Sequence, residues 1–382
     1  MHFPVNNLKK IVITGGDGLL GQHVRSLLFA INAGAEFKGE SALYEIRSAG
    51  RAAFNDDKTF SQLLGDVDVV IHLAGVNRGS DEEVRNGNQE IAERLVTHLK
   101  ERAIKPHLIY ANSTHSMGNS DYGLGKKNSS KILSQWANEA NAPYTDIVFP
   151  HLFGEGGKPF YNTVTSTLCE QIVKGVSPEI NPNGCVKLCH AGVAAELIRS
   201  YFENEVTGEI YPEGSELSVE ELYRKLLSFY ESYVSGLMPD MQDELSVQLF
   251  NVLRTHMFPD YYPHQLPQQK DSRGVLFEAV KGGSGQTFLS WTEPAVVRGN
   301  HFHRNKVERF LVVKGDAIIR VRHILKDTIH EYVVSGDQPA FVDMPTLHTH
   351  NIENVGDEPL LTLFWANEIF DPDSPDTYAL DV

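Results

Sequence analysis

Lys10-Ile11-Val12-Ile13-Thr14-Gly15-Gly16-Asp17-Gly18-Leu19-Leu20-Gly21, residues 10–21, decides the fold of the N-terminal half. A short apolar run meets a glycine cluster. Beyond it Leu19, Leu20, Val24, Leu27 and Leu28 recur with a helical period. The stretch therefore reads as strand, tight turn, helix. Gly15, Gly18 and Gly21 permit the turn and let the backbone approach a pyrophosphate, which then rests on the N-terminus of the helix. A dinucleotide site at Gly15, Gly18, Leu19, Leu20 and Gly21 is the expectation.

The same rhythm continues outward. Further strands are expected at Leu43 to Ile46, residues 67–75 (V-D-V-V-I-H-L-A-G), residues 107–113 and residues 146–150. Helices are expected from about Glu82 to Arg102 and from Tyr122 to about Ala140. Strands alternating with helices predict an α/β fold of the Rossmann type, a doubly wound parallel sheet. After about residue 255 short strand-like runs separated by turns take over, among them E-R-F-L-V-V and P-L-L-T-L-F-W. They predict a C-terminal all-β barrel or jelly roll. Phe258 to Gln269 holds three prolines and reads as a linker, so the expected domains are residues 1–257 and 258–382.

Composition narrows the class. A chain of 382 residues exceeds one ordinary core. Its net charge of −16 argues against general nucleic-acid binding, which needs a basic face. No run of about 18 apolar residues predicts a membrane span, and no signal peptide is expected, so the cytoplasm is the default compartment. Cys169, Cys185 and Cys189 make no disulfide framework, and Cys185-x3-Cys189-His190 fits no common zinc spacing.

Tyr122-Gly-Leu-Gly-Lys126 places a phenol and an amine on one helical face. A lysine there can lower the phenol's pKa, and the tyrosine can then give a proton to a ketone receiving hydride. The bland reading is a surface tyrosine beside a solvated lysine. Position favours chemistry, because the preceding strand ends at Ser113, with Thr114 as its neighbour, and a hydroxyl there can hold a carbonyl. Together these residues resemble the extended short-chain dehydrogenase/reductase family. The resemblance implies Ser113, Tyr122 and Lys126 as the catalytic set, with Lys126 on the nicotinamide ribose. His72-Leu73-Ala74-Gly75 resembles that family's segment beside adenine and ribose. The gap between Ser113 and Tyr122 is shorter than usual there, which leaves Thr114 open. Arg47 and Arg51, with no acid after Glu45, favour NADPH over NADH.

Near the C-terminus, G-N-H-F-H carries His301 and His303, which share one side of a strand. Glu308 and His350 would arrive from neighbouring strands. Three imidazoles and one carboxylate suit a divalent metal such as Zn²⁺. The pattern resembles the two cupin signatures, which implies His301, His303, Glu308 and His350 as ligands. Leu347 stands where a glycine is usual, and His348 competes with His350. Asp271-Ser-Arg273-Gly274 and Val297-Arg298-Gly299-Asn300-His301 resemble nucleotide-4-keto-sugar 3,5-epimerases. His323 and His348 are candidate proton carriers.

The two halves together resemble the bifunctional capsular-polysaccharide enzymes of the UDP-N-acetyl-L-fucosamine pathway. The likeness rests on H-L-A-G-V-N-R at 72–78, L-F-G-x4-P-x-Y-N at 152–162, T-H-N-I-E-N at 349–354 and the ending F-D-P-D-S-P-D-T-Y. It implies a homodimer acting on a UDP-sugar. The cupin would epimerise a UDP-4-keto-6-deoxy-N-acetylhexosamine at C3, and the reductase would reduce C4 with NADPH. Asn77, Arg78, Tyr161 and Asn162 would touch the sugar nucleotide. Two other readings stand beside it: a cupin that is only a structural or dimerisation module, and an N-terminal domain that senses NADPH without turnover.

Overall fold

The computed structural model describes residues 8–382 apart from residues 162, 273 and 283. Arg273, part of the epimerase-like segment, therefore lies outside the described residues.

Strand β1 (Lys9–Thr14) pairs in parallel with β2 (Tyr44–Ala49) on one side and β3 (Val69–His72) on the other. Beyond β3 come β4 (His107–Ser113), β5 (Tyr144–Phe149) and the short strand Gly208–Ile210, all parallel. The strand order is thus 2-1-3-4-5 and then Gly208–Ile210. The chain moves outward from β1 to β2 and then returns past β1 to β3. Loops leaving β1 and β3 diverge there, and such a switch point opens the crevice in which doubly wound sheets bind ligands.

Ile11, Val12 and Ile13 are fully buried, as a strand covered on both faces must be. Ile11 and Ile13 join one core with α1 (Leu19–Phe37) and the helix Ala191–Glu203. Val12 joins the opposite core with Phe60, Leu95, Leu133 and Trp136. The helix expected from Glu82 runs over Asp81–Glu101 and opens on a capping box, Ser80 with Glu83. The helix that carries the tyrosine runs over Asp121–Ala140 and is capped by Ser120.

The C-terminal strands form two five-stranded sheets. One contains Gln286–Thr292, Glu308–Lys314, Ala340–Met344 and Leu360–Ala366. The other contains Val297–Phe302, Asp316–His323, Ile329–Ser335 and His348–Asn354. The pairings within both are antiparallel, so the expected all-β, cupin-like architecture is present.

The compact units do not follow a single cut after residue 257. One comprises Met1–Gly154 with Cys185–Leu217, and the other Glu155–Gly184 with Ser218–Val382. The helices Val219–Val234 and Glu244–Met257 belong with the C-terminal sheets because of buried polar contacts. Arg309 holds Asp343 by two hydrogen bonds of 2.7 and 2.9 Å, and the Tyr233 hydroxyl donates to the same carboxylate at 2.6 Å. Arg254 donates to the Met344 carbonyl at 2.9 Å. A buried pair of charges is tolerated only when its remaining hydrogen-bonding positions are filled, and Tyr233 of the first helix fills one of them. The segment read as a linker is itself packed: Tyr262 is buried, with its hydroxyl 2.7 Å from that of Tyr233.

Candidate functional site

In the N-terminal unit the glycine turn lies at the switch point. Gly15 has φ +71°, and a Cβ there would stand 2.7 Å from the Ala74 nitrogen and 2.9 Å from the Leu73 carbonyl carbon. A Cβ on Gly21 would meet the Gly15 oxygen at 2.5 Å. These glycines let two backbones and a helix end meet without side chains between them. Gly18 is the N-cap of α1, makes no side-chain cap, and no acid lies in the first turn. The N–H groups of Leu19, Leu20 and Gly21 therefore open a helix suited to an anion. Leu73 donates its backbone N–H to the Thr14 carbonyl at 3.1 Å, and Ala74 donates to the Thr14 hydroxyl at 3.3 Å. The structure thus brings Gly15, Gly18, Leu19, Leu20, Gly21, Leu73 and Ala74 together, with Gly75 next in the chain.

Asn88, not anticipated from sequence, fixes the exit of that loop. Its side chain accepts from the Val76 N–H at 3.2 Å and donates to the Val84 carbonyl at 2.7 Å. A Cβ on Gly75 would meet its Oδ1 at 2.8 Å. Its only signal was a polar residue on the inner face of an otherwise amphipathic helix. Asn77 and Arg78 follow on the exposed loop.

The cofactor arginines part company. Arg47, expected at a 2′-phosphate, is held internally instead. It donates to Glu45 at 2.7 Å, to the Leu63 carbonyl at 3.1 Å and to Asp66 at 3.2 Å. Its strand position points it along the sheet edge toward those acceptors. Arg51 is exposed and begins the five-residue helix after β2.

Ser113 ends β4, and its hydroxyl accepts the His115 N–H at 3.3 Å. Against the effect of burial, the same hydroxyl lowers the pKa of the Tyr122 phenol. The short gap between them is spanned by one 3₁₀ turn, Thr114–Met117, and the cap at Ser120. Close approach is possible because residue 123 is glycine: a Cβ there would lie 2.1 Å from the His115 oxygen. Gly125 likewise lets this helix meet the Arg85 backbone, with a Cβ-to-oxygen distance of 2.9 Å. The His115 ring lies edge-on to Tyr122, 5.7 Å between centroids.

Lys126 is 5% exposed. It donates to the Ala111 carbonyl at 2.6 Å and sits 4.5 Å from the centre of the Tyr110 ring. Burial pushes its pKa down to about 8, opposed by the Asp146 carboxylate. Tyr122 departs from expectation: burial raises its pKa, and only the Ser113 hydroxyl opposes that. The lysine charge is spent on Ala111, so the phenol stays protonated, the form required of a proton donor. Asn112 accepts the Ser113 N–H at 2.8 Å and donates to Asp146 at 3.3 Å, tying the serine's strand end to the buried carboxylate.

The C-terminal unit holds the second site. One ligand atom from each of His301, His303, Glu308 and His350 lies within 4.8 Å of the others. Nε2 of His303 is 3.0 Å, Nε2 of His350 3.2 Å and Nε2 of His301 3.8 Å from Oε2 of Glu308. Glu308 comes from one sheet, and His301 and His350 are paired across neighbouring strands of the other. A register shift between Gly299 and His301, with Asn300 at φ +59°, sets the His301 ring inward.

The second ring nitrogens of His303 and His350 are committed. Nδ1 of His303 faces the Asp376 carbonyl at 2.6 Å, and Nδ1 of His350 faces the His348 carbonyl at 3.1 Å. Each Nδ1–H is thereby donated, which leaves Nε2 as the lone pair toward the cluster, the arrangement that metal-binding histidines require. Burial lowers the His350 pKa to about 4, and despite burial the neighbouring His303 holds the Glu308 carboxylate well below the usual range. The His350 imidazole, neutral, and the ionised Glu308 carboxylate fit a divalent ion, whereas burial of His303 is outweighed by Glu308, which raises its pKa until a cation takes the carboxylate. Asp376 was not anticipated. Its carboxylate accepts the backbone N–H groups of Arg304, Asn305 and Lys306 at 3.1, 2.8 and 2.8 Å, fixing the turn that carries His303. An aspartate in S-P-D-T is an apt acceptor for a turn.

His348 does not join the cluster. Its ring packs against His323 at 4.9 Å and Phe258 at 5.0 Å, and burial lowers its pKa to about 3. Leu347 adopts φ +60°, the conformation a glycine would supply at this position. Tyr161 is 39% exposed and belongs to the second compact unit, while Asn162 lies outside the described residues. No helix among the described residues is long and apolar enough to cross a membrane.

Known proteins resemble both halves. The NAD dependent epimerase/dehydratase family matches residues 11–211, and the polysaccharide biosynthesis C-terminal domain matches residues 269–378. The chain is 29% identical to the UDP-2-acetamido-2,6-beta-L-arabino-hexul-4-ose reductase of Pseudomonas aeruginosa, over 98% of this chain and 99% of that protein. It is 28% identical to the crystal structure of the capsular polysaccharide assembling protein CapF from Staphylococcus aureus. That likeness covers 98% of this chain and 100% of CapF, with a TM-score of 0.59. A UDP-N-acetylglucosamine 4-epimerase from Methanobrevibacter ruminantium shares the fold over 65% of this chain and 98% of its own, at 17% identity and a TM-score of 0.53.

Proposed function

We propose, since the chain belongs to the NAD dependent epimerase/dehydratase family, that it is a bifunctional nucleotide-sugar enzyme with one reaction in each half. The C-terminal site epimerises a UDP-4-keto-6-deoxy-N-acetylhexosamine at C3. The N-terminal site reduces the C4 ketone with NADPH and yields UDP-2-acetamido-2,6-dideoxy-β-L-talose. Functionally the division falls at residues 1–257 and 258–382, and the two family matches lie on either side of that cut. The observation that carries the reading is the coexistence, in one chain, of a buried Tyr122 phenol that the Ser113 hydroxyl influences, with Lys126 buried one helical turn on, and a cluster of His301, His303, Glu308 and His350.

At the N-terminal site NADPH, when bound, supplies hydride to C4. Ser113 orients the carbonyl, and Tyr122 delivers a proton to the C4 oxygen. Lys126, held at the Ala111 carbonyl, serves the nicotinamide ribose rather than the phenol. Gly15, Gly18 and Gly21 let the pyrophosphate approach the open end of α1. Arg51 supplies positive charge near the adenosine ribose.

At the C-terminal site the three imidazoles and Glu308 would hold a divalent ion, Zn²⁺ by donor type. Such an ion would supply Lewis acidity to the C4 carbonyl, which makes the C3 hydrogen more acidic. His323 is the candidate proton carrier, since the low pKa of His348 makes it a weak base. Epimerisation leaves the ketone intact and is reversible, and reduction consumes the ketone and draws the balance forward.

A homodimer fits the C-terminal unit. Its edge strand Gln286–Thr292 exposes Phe288, Leu289 and Trp291, and Val275 and Leu276 are exposed on the nearby hairpin in sequence. The alternative in which the C-terminal half only dimerises is favoured by that same surface.

Purified protein supplied with UDP-4-keto-6-deoxy sugars of both C3 configurations should oxidise NADPH and give the talo product by NMR. A Tyr122→Phe variant should lose at least about 100-fold in turnover, the usual worth of a general acid. NADPH binding by wild type with no turnover of either sugar would support cofactor sensing instead.

A further inference from the structure

Arg47 is engaged by Glu45, Leu63 and Asp66, and Arg51 is exposed past the end of β2, while a third cation able to meet the 2′-phosphate of NADPH stands against the glycine turn itself. The geometry points to Arg25, with Ser48, as the anchor of that phosphate, and to Asp17 as the internal competitor that occupies Arg25 beforehand. This rests on the NADPH reading above.

Arg25 lies on the second turn of α1, and its Nη1 donates to the Gly16 carbonyl at 3.3 Å and to Asp17 Oδ1 at 3.0 Å. Gly16 follows Gly15 in the turn after β1. A Cβ on Gly16 would meet the Ser48 hydroxyl oxygen at 2.2 Å and Arg25 Cδ at 3.2 Å. Ser48 therefore touches the glycine turn from the end of β2, beside the arginine stem. A Cβ on Gly50 would lie 2.9 Å from the other Asp17 oxygen, so the carboxylate spans the mouth of the same recess. The Ser48 hydroxyl is buried and has no hydrogen-bond partner among the described residues. A buried hydroxyl without a partner is costly, and an incoming oxygen would satisfy it.

The end of β2 is where doubly wound folds contact the adenosine ribose. Ser48 supplies one donor there, and Arg25 supplies a guanidinium whose planar fork suits a phosphate. Asp17 is 76% exposed and is free to turn into solvent when a dianion arrives. While paired it neutralises Arg25, so the recess discriminates weakly against NADH until phosphate replaces the carboxylate. Arg25 and Asp17 are thus specificity-determining residues, and neither touches the reacting ketone.

The test is calorimetric binding of NADPH and of NADH to the full chain without sugar. Wild type should bind NADPH at least about tenfold more tightly, or 1.4 kcal/mol. Arg25→Met should bring the ratio of the two dissociation constants to about 1, with NADH affinity within twofold of wild type, which also reports an intact fold. Asp17→Asn should raise the ratio above the wild-type value. A ratio kept in Arg25→Met, or lost in Arg47→Ala and retained in Arg25→Met, overturns the assignment. Equal binding of the two dinucleotides by wild type would sink the NADPH reading itself, and this inference with it.

Discussion

Nδ1 of His303 faces the backbone carbonyl of Asp376 at 2.6 Å, while the Asp376 carboxylate takes three backbone N–H groups of the 304–306 turn. A residue in the last turn of the chain thus sets the tautomer of one cluster histidine and the position of its backbone. Outer partners of this kind typically govern metal affinity by 10- to 100-fold. Asp376→Ala keeps the carbonyl and removes the carboxylate that accepts the three N–H groups. Zinc affinity, measured by competition with a chromogenic chelator, should fall about tenfold or more. Affinity equal to wild type would show that the turn holds without it.

The reductase should have an alkaline limb set by Lys126. Burial lowers its pKa to about 8, so the amine is cationic below that value and neutral above it. Turnover of a 4-keto sugar with NADPH should therefore fall as pH rises through about 8. Asp146 opposes the burial effect. Asp146→Asn should move the limb to lower pH, and a shift upward would contradict the assignment.

Gly15 should tolerate no side chain. Its φ of +71° and the 2.7 Å approach to Ala74 make alanine both strained and obstructed. Gly15→Ala should cost about 2 kcal/mol or more in stability by denaturant titration. It should also abolish dinucleotide binding, because the displaced turn no longer faces the end of α1. Wild-type binding in this variant would remove the phosphate cradle from the account.

Leu347 gives a ranking. It is 3% exposed and holds φ +60°. A non-glycine residue in that region pays roughly 1–2 kcal/mol, while losing a buried leucine costs about 2–5 kcal/mol. Leu347→Ala keeps the strain and loses the packing; Leu347→Gly loses both. The order of thermal midpoints should be wild type, then glycine, then alanine. A glycine variant more stable than wild type would mean that packing at this turn matters little.

Local signals carried most of the fold. The K-I-V-I-T run, the glycines after it and the Tyr122–Lys126 spacing act over a few residues, so periodicity and turn chemistry reveal them. The two histidine motifs were also local, and the four side chains they name lie together. What escaped depends on contacts between distant residues. Tyr233 with Asp343 and Arg254 with Met344 place two helices with the C-terminal sheets, and no composition change at residue 257 announces that. Arg47 carries the right charge for a phosphate but meets Asp66, nineteen residues on. The phenol of Tyr122 was expected to feel Lys126, but Ala111 claims the ammonium. Asp376 acts seventy-three residues from His303, beyond any window of pattern reading.

The most direct test of two reactions in one chain is solvent deuterium entry at C3. A UDP-4-keto-6-deoxy-N-acetylhexosamine is incubated in D₂O without dinucleotide and followed by NMR. Wild type and Tyr122→Phe should both exchange the C3 hydrogen, because that step needs no hydride, and His301→Ala should exchange no faster than the sugar alone. Undiminished exchange in His301→Ala, with a dimer preserved, would contradict a catalytic metal site and leave the C-terminal half a structural module.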